Sequence, residues 1–175
     1  MNPEPDTKSI LRARARALAQ EPTPPGRAED TLSVIEFALA HERYALDASF
    51  IREVYPLRDL TPLPGTPSFV VGMINVRGQI LTVLDLKEFF GLPRNPLTDL
   101  SKVIIVQTEE MELGLLADAV VGVRSVQVHE MQPSLPTLTG VRAEYLRGVT
   151  PERLIVLDGA AVLSDPRIIV DDDEL

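Results

Sequence analysis

From Thr31 onward the chain is a succession of short β-rich runs separated by turn residues. "TLSVIEFAL" sets the style, with Ile35, Phe37 and Leu39 alternating with Val34, Glu36 and Ala38. A period of two sends successive side chains to opposite sides of an extended backbone, so this run predicts a half-buried strand. After the turn at "AHER", "YALD" predicts its hairpin partner. "FIREVYPL" predicts a third strand closed by Pro56, whose missing amide hydrogen suits a strand end. "KVIIVQT", "MELGLLA", "AVVGVRSVQV", "EYLRGVT" and "RLIVLD" read as further strands, and "LKEFFGL" and "GAAVLSD" as short helices. Residues 103 to 106 and 154 to 157 lack polar alternation, which predicts strands covered on both faces. Many short strands at close intervals predict a mainly β body, closed or nearly closed as one barrel or two small ones.

The preceding segment is different. Five of the fifteen prolines fall within residues 1 to 30, flanking one helix-like piece over residues 7 to 20, where Leu11, Ala15 and Leu18 recur at helical spacing beside Arg12 and Arg16. "EPTPPGRAED" is a linker by composition. The expected organisation is therefore an extension over residues 1–30, one domain over 31–168 and an acidic tail over 169–175. The 175 residues contain no cysteine and only two histidines, and the formal charge is -9. A disulfide framework and thiol chemistry are excluded, and the charge disfavours nucleic acid and anionic lipid. No apolar run approaches the length of a membrane span or acts as a signal peptide, so the expected location is the cytoplasm.

"GMINVRGQILTVLDL" places polar residues inside an apolar run. Asn75 and Gly78 suit a chain reversal, the one by bonding nearby amides and the other by its conformational freedom. Asp85 opens an Asp-x-x-Glu pattern with Glu88, which predicts a helix cap. Arg77 is the residue the turn does not need. A search for chemistry finds little: the glycines form no phosphate loop, His41 and His129 lack the spacing of a zinc site, Ser68 lacks a nucleophile elbow, and Asp171 to Asp173 supply no fixed cation geometry. No catalytic residue, cofactor or metal is expected. The rival from another class is a small hydrolase using Asp85 or Ser68.

Residues 32 to 167 resemble the CheW-like domain, the adaptor that joins chemoreceptors to the CheA histidine kinase. The resemblance runs in order through "IEFALAHERYALDASFIREV", "TPSFVVGMINVRGQILTVLDLKEFFGLP", "KVIIVQ", "GLLADAVVGVRSV", "EYLRGV" and "RLIVLDGAAVL", and is most specific in "VVGMINVRGQILTVLDL". It implies two intertwined five-stranded barrels of SH3-like type sharing a core, with a groove for the helical tip of a receptor and barrel ends that bind the kinase's regulatory domain. It implies no catalysis and no cofactor.

Carried over to this chain, the resemblance makes Ile51, Glu53, Gly72, Asn75, Arg77, Gly78 and Val103 receptor-binding positions. Gly114, Thr137 and Leu138 become positions facing the kinase or another partner. Arginine suits such a role because its planar guanidinium offers five donors to carboxylates, amides and carbonyls, and a glutamate across the groove would orient it. Two departures stand out. The first thirty residues have no place in the minimal domain and would serve a third partner, and "VTPERLIVLDGAA" is shortened at its turn, with Asp158-Gly159-Ala160 where many relatives have a leucine-rich start to the last helix. An adaptor of the same fold serving surface motility or second-messenger output is the nearest alternative.

Overall fold

The computed structural model describes residues 30–133 and 141–168. Their elements run β1 (Thr31–Leu39), β2 (Glu42–Asp47), β3 (Ile51–Pro56), β4 (Val70–Val76), β5 (Gln79–Asp85), α1 (Leu86–Phe90), β6 (Lys102–Gln107), β7 (Glu112–Ala117), β8 (Ala119–Gln127), α2 (Val141–Glu144), β9 (Leu146–Val149), β10 (Ile155–Leu157) and α3 (Gly159–Leu163). The expected N-terminal helix and linker, Thr137, Leu138 and the expected acidic tail lie outside the described residues.

The strands form two five-stranded sheets, ordered β8-β1-β2-β10-β9 and β3-β6-β7-β5-β4. The chain starts in the first sheet, builds the whole of the second, and returns at β8 to finish the first, so the two are intertwined. Each sheet mixes antiparallel hairpins with one parallel pair, β10 on β2 and β5 on β7.

Among the described residues, apolar side chains collect in three clusters. The largest is shared, with Phe37, Leu39 and Tyr44 of the first sheet meeting Leu84, Ile104 and Leu115 of the second, and Leu86, Phe89 and Phe90 of α1 filling between them. Each sheet also has its own cluster, centred on Val103 and Ile105 in the second and on Val34, Ala45 and Val156 in the first. Strands β6 and β10 therefore bury both faces, as their unbroken apolar runs predict. Each such fully buried aliphatic side chain contributes roughly 1.5–3 kcal/mol.

Strand β1 departs from the half-buried expectation, because Val34 and Glu36 are buried as well as Phe37 and Leu39. Its second face meets the first sheet's own cluster, and Glu36 is tolerated there because Arg43 and Arg124 both donate to its carboxylate. Strand β2 begins earlier than "YALD", since Leu39 pairs with Glu42 around a two-residue turn. Glu144 closes α2, so β9 starts at Leu146.

Asp85 caps α1, its side chain accepting from the amide of Lys87 at 2.8 Å. Glu88 does not reach back as a capping box would; it pairs with Arg94 instead. Burial pushes the Asp85 carboxyl above its ordinary value, against the opposing hydrogen bond and charge of Lys87. Lys87 itself is buried, with its side chain 2% exposed, and its ammonium pairs with Asp118. The other Asp118 oxygen accepts from the amide of Ala40 at 2.7 Å, which ties α1 and the end of β7 to the β1–β2 turn. At the C-terminal side, Arg167 stacks over the Phe89 ring at 4.5 Å and bonds Asp165 and Tyr145, fastening the last described residues to the shared core.

Candidate partner-binding site

The β4–β5 hairpin closes with Val76 opposite Gln79, leaving Arg77 and Gly78 as a two-residue loop. Both have positive φ, 52° and 88°, as the right-handed twist of a tight hairpin requires. Asn75 accepts from the amide of Gly78 at 2.8 Å and holds the turn closed. The loop thus presents the Arg77 side chain, 70% exposed, at its tip.

The guanidinium is not free to wander. Its two terminal nitrogens donate to the two oxygens of Glu53 at 3.1 and 3.0 Å, a two-pronged geometry that fixes the guanidinium plane. Glu53 sits on β3, at the opposite edge of the second sheet from β4. With strands about 4.8 Å apart, a flat sheet would hold β3 roughly 14 Å from β5 and roughly 19 Å from β4. The second sheet is therefore strongly curled, and the Glu53–Arg77 pair spans the gap between its ends.

A second network adjoins the first. Arg52 pairs with Glu112 at the start of β7 and donates to Gln79 at 3.1 Å, while Gln79 donates to the second oxygen of Glu112 at 2.8 Å. Loss of water contact alone would raise the Glu112 carboxyl, but the hydrogen bonds from Arg52 and Gln79 and the Arg52 charge outweigh it and hold the group below its ordinary value. Val54 and Ile80, beside these residues in β3 and β5, are both exposed. The charged and amide groups at this end of the second sheet are held in fixed directions.

The expected site residues separate into two groups. Glu53, Asn75, Arg77 and Gly78 come together on this surface. Ile51 lies at the start of β3, half-buried against the shared core. Val103 has no surface to offer a partner, being fully buried in the second sheet's own cluster. Gly114 is its packing partner, since a Cβ at Gly114 would come within 2.4 Å of a Val103 methyl. Gly72 serves the backbone, with φ of 154° and a position where a Cβ would come within 2.3 Å of the Thr61 carbonyl oxygen. There the loop before β4 bonds to Met73 through two 2.8 Å backbone bonds. Val103, Gly114 and Gly72 are all buried, and their observed contacts are within the sheet that carries the hairpin and with the loop before it.

Arg52, Gln79 and Glu112 were not singled out by sequence reasoning. Gln79 and Glu112 are 33 residues apart and meet through the parallel β5–β7 pairing, for which a sequence period carries no signal. Arg52 adjoins Glu53 in "REV", and that adjacency is the one hint available.

Ser68 and Asp85 line one cavity of about 330 Å³, together with Lys87, Glu88 and Arg94. Its charged groups already have partners: Asp85 caps α1, Lys87 pairs with Asp118, and Glu88 pairs with Arg94 on the same wall. His41 and His129 are not on its wall. Among the described residues no three His, Asp or Glu side chains group as a metal site would require.

A family model described as the CheW-like domain matches residues 33–167. The chain belongs to the CheW-like family. It is 29% identical over 137 residues to a chemotaxis protein CheW of Treponema pallidum, covering 74% of this chain and 81% of the relative. It is 34% identical over 114 residues to the protein FrzA of Myxococcus xanthus, covering 65% and 70%. Among solved structures, the scaffolding protein TtCheW from Thermoanaerobacter tengcongensis matches with a TM-score of 0.65 and 32% identity, over 72% of this chain and 88% of that one. CheW-like proteins are adaptors and scaffolds. Among the described residues no helix is long and apolar enough to cross a membrane.

Proposed function

We propose that this chain couples the cytoplasmic tip of a chemoreceptor to the regulatory domain of a CheA-type histidine kinase, without chemistry of its own. In this reading each sheet forms one of the family's two barrels. The receptor's helical hairpin meets Glu53, Asn75, Arg77 and Gly78, with Ile51 behind them and Val103 and Gly72 fixing the sheet. The kinase meets the barrel ends, with Gly114 shaping one of them and Thr137 and Leu138 contributing to a partner surface. The protein works in the cytoplasm, recruited to receptor arrays, and residues 1–30 engage a third partner.

The observation that carries the proposal is the exposed Arg77 fork held by Glu53 at the tip of the β4–β5 hairpin. An arginine already oriented loses less freedom on docking than a solvated one. Arg77→Ala should leave the melting temperature nearly unchanged, because an exposed ion pair contributes at most about 1 kcal/mol. It should weaken binding of the receptor tip by roughly 1–3 kcal/mol, read by calorimetry. Glu53→Lys should do the same by placing like charge beside Arg77, while kinase-domain binding persists. Unchanged receptor affinity in Arg77→Ala removes the hairpin from the receptor site.

An adaptor for an output other than swimming is the second reading, supported by the 34% identity to FrzA over 114 residues. Identifying the receptor and kinase that co-purify with the intact chain decides between them.

A further inference from the structure

The first sheet repeats, at its own end, the device seen at the Arg77 hairpin. Glu36 of β1, its side chain only 5% exposed, receives Arg43 of β2 at 3.1 Å on one oxygen and Arg124 of β8 at 3.2 Å on the other. Both arginines continue to the β9–β10 turn, Arg43 donating to the Glu152 carbonyl at 2.8 Å and Arg124 to the Glu152 carboxylate at 2.9 Å. The next residue, Arg153, is exposed, has φ of 66°, and has no side-chain partner among the described residues. That turn is closed by Thr150, whose carbonyl accepts from the Arg153 amide at 2.9 Å and whose hydroxyl accepts from Leu154 at 3.1 Å.

Two guanidinium groups thus meet two carboxylates, and the adjoining exposed Arg153 brings a third positive charge to this turn on a chain of formal charge -9. The two carboxylates differ in kind. Glu36 is buried and holds Arg43 and Arg124 in place, whereas Glu152 is 60% exposed. An exposed ion pair is weak, so an external carboxylate can exchange with Glu152 on Arg124 at little cost. The buried carboxylate keeps the fork oriented throughout, and Arg153 adds an unspent cation at the rim.

We infer that this end of the first sheet is a docking surface for an acidic segment of a partner protein, in which a partner carboxylate takes the place of Glu152 on Arg124 and a neighbouring one meets Arg153. Glu152 then acts as an internal competitor that sets the affinity. This goes beyond the receptor reading of the Arg77 hairpin and does not depend on it.

The test uses the full chain and a fluorescein-labelled peptide of alternating Asp and Glu, followed by anisotropy, with Arg77→Ala and unlabelled duplex DNA as controls. Saturable binding is expected, tightened about threefold by Glu152→Gln and weakened about fivefold by Arg153→Glu, the scale of one partly exposed charge pair. Both substitutions sit on an exposed turn and should leave the melting temperature unchanged. Arg77→Ala should not alter peptide affinity. Absence of saturable binding, equal affinity in wild type, Glu152→Gln and Arg153→Glu, or a loss in Arg77→Ala matching that in Arg153→Glu overturns the assignment. Equally tight binding of duplex DNA overturns it too, since the surface would then select anions in general.

Discussion

Asp118→Ala is expected to lower the unfolding free energy by about 3–5 kcal/mol, the scale for removing one partner of a buried ion pair. Lys87 would be left with its ammonium enclosed and unpaired, and the Ala40 amide would lose its acceptor. For a chain of this size the melting temperature should fall by roughly 10 °C or more. The cause is identified by the double variant Lys87→Met with Asp118→Asn. It removes the charges, keeps an acceptor for Ala40, and should recover most of the loss, because a buried pair exchanged for neutral groups of similar shape is often close to neutral. If the double variant is as unstable as Asp118→Ala, the ion pair is not the source of the effect. Receptor affinity, measured below the transition, should not change in either.

Gly72→Ala should cost about 2–4 kcal/mol, combining an unfavourable backbone conformation with a clash that flexible side chains cannot relieve. The added methyl would meet the Thr61 carbonyl oxygen and carbon at 2.3 and 2.8 Å, so backbone must move. The reciprocal bonds between Thr61 and Met73 should break first. Amide exchange at Thr61 and Met73 should accelerate in a variant that still folds, and receptor affinity should fall only in proportion to any displacement of the Arg77 hairpin. A variant that loses affinity while keeping wild-type stability and slow exchange at these amides would return Gly72 to the contact surface.

The local features were legible because their physics is local. Asn75, Arg77 and Gly78 form the turn their order suggests, Asp85 caps the helix that follows it, and the unbroken apolar runs of β6 and β10 are covered on both faces. What was not legible depends on pairings distant in sequence. Glu36 looked like the polar face of a half-buried strand, yet Arg124, which helps to make its burial tolerable, lies 88 residues away. Lys87 is enclosed for the same reason, with Asp118 31 residues further on. Val103 and Gly114 were expected at partner surfaces because the family resemblance marks positions and not orientations. The β6–β7 ladder packs the valine into the space left by the glycine, away from solvent.

In the proposed role one molecule holds two partners at once, which is checked by mixing the full chain with a soluble receptor tip and the isolated kinase regulatory domain and measuring the mass of the complexes by light scattering after size exclusion. A ternary complex containing all three is predicted, with Arg77→Ala losing the receptor component while the kinase component stays bound. Mutually exclusive binding of receptor and kinase domain, or a ternary complex unaffected by Arg77→Ala, would contradict the account.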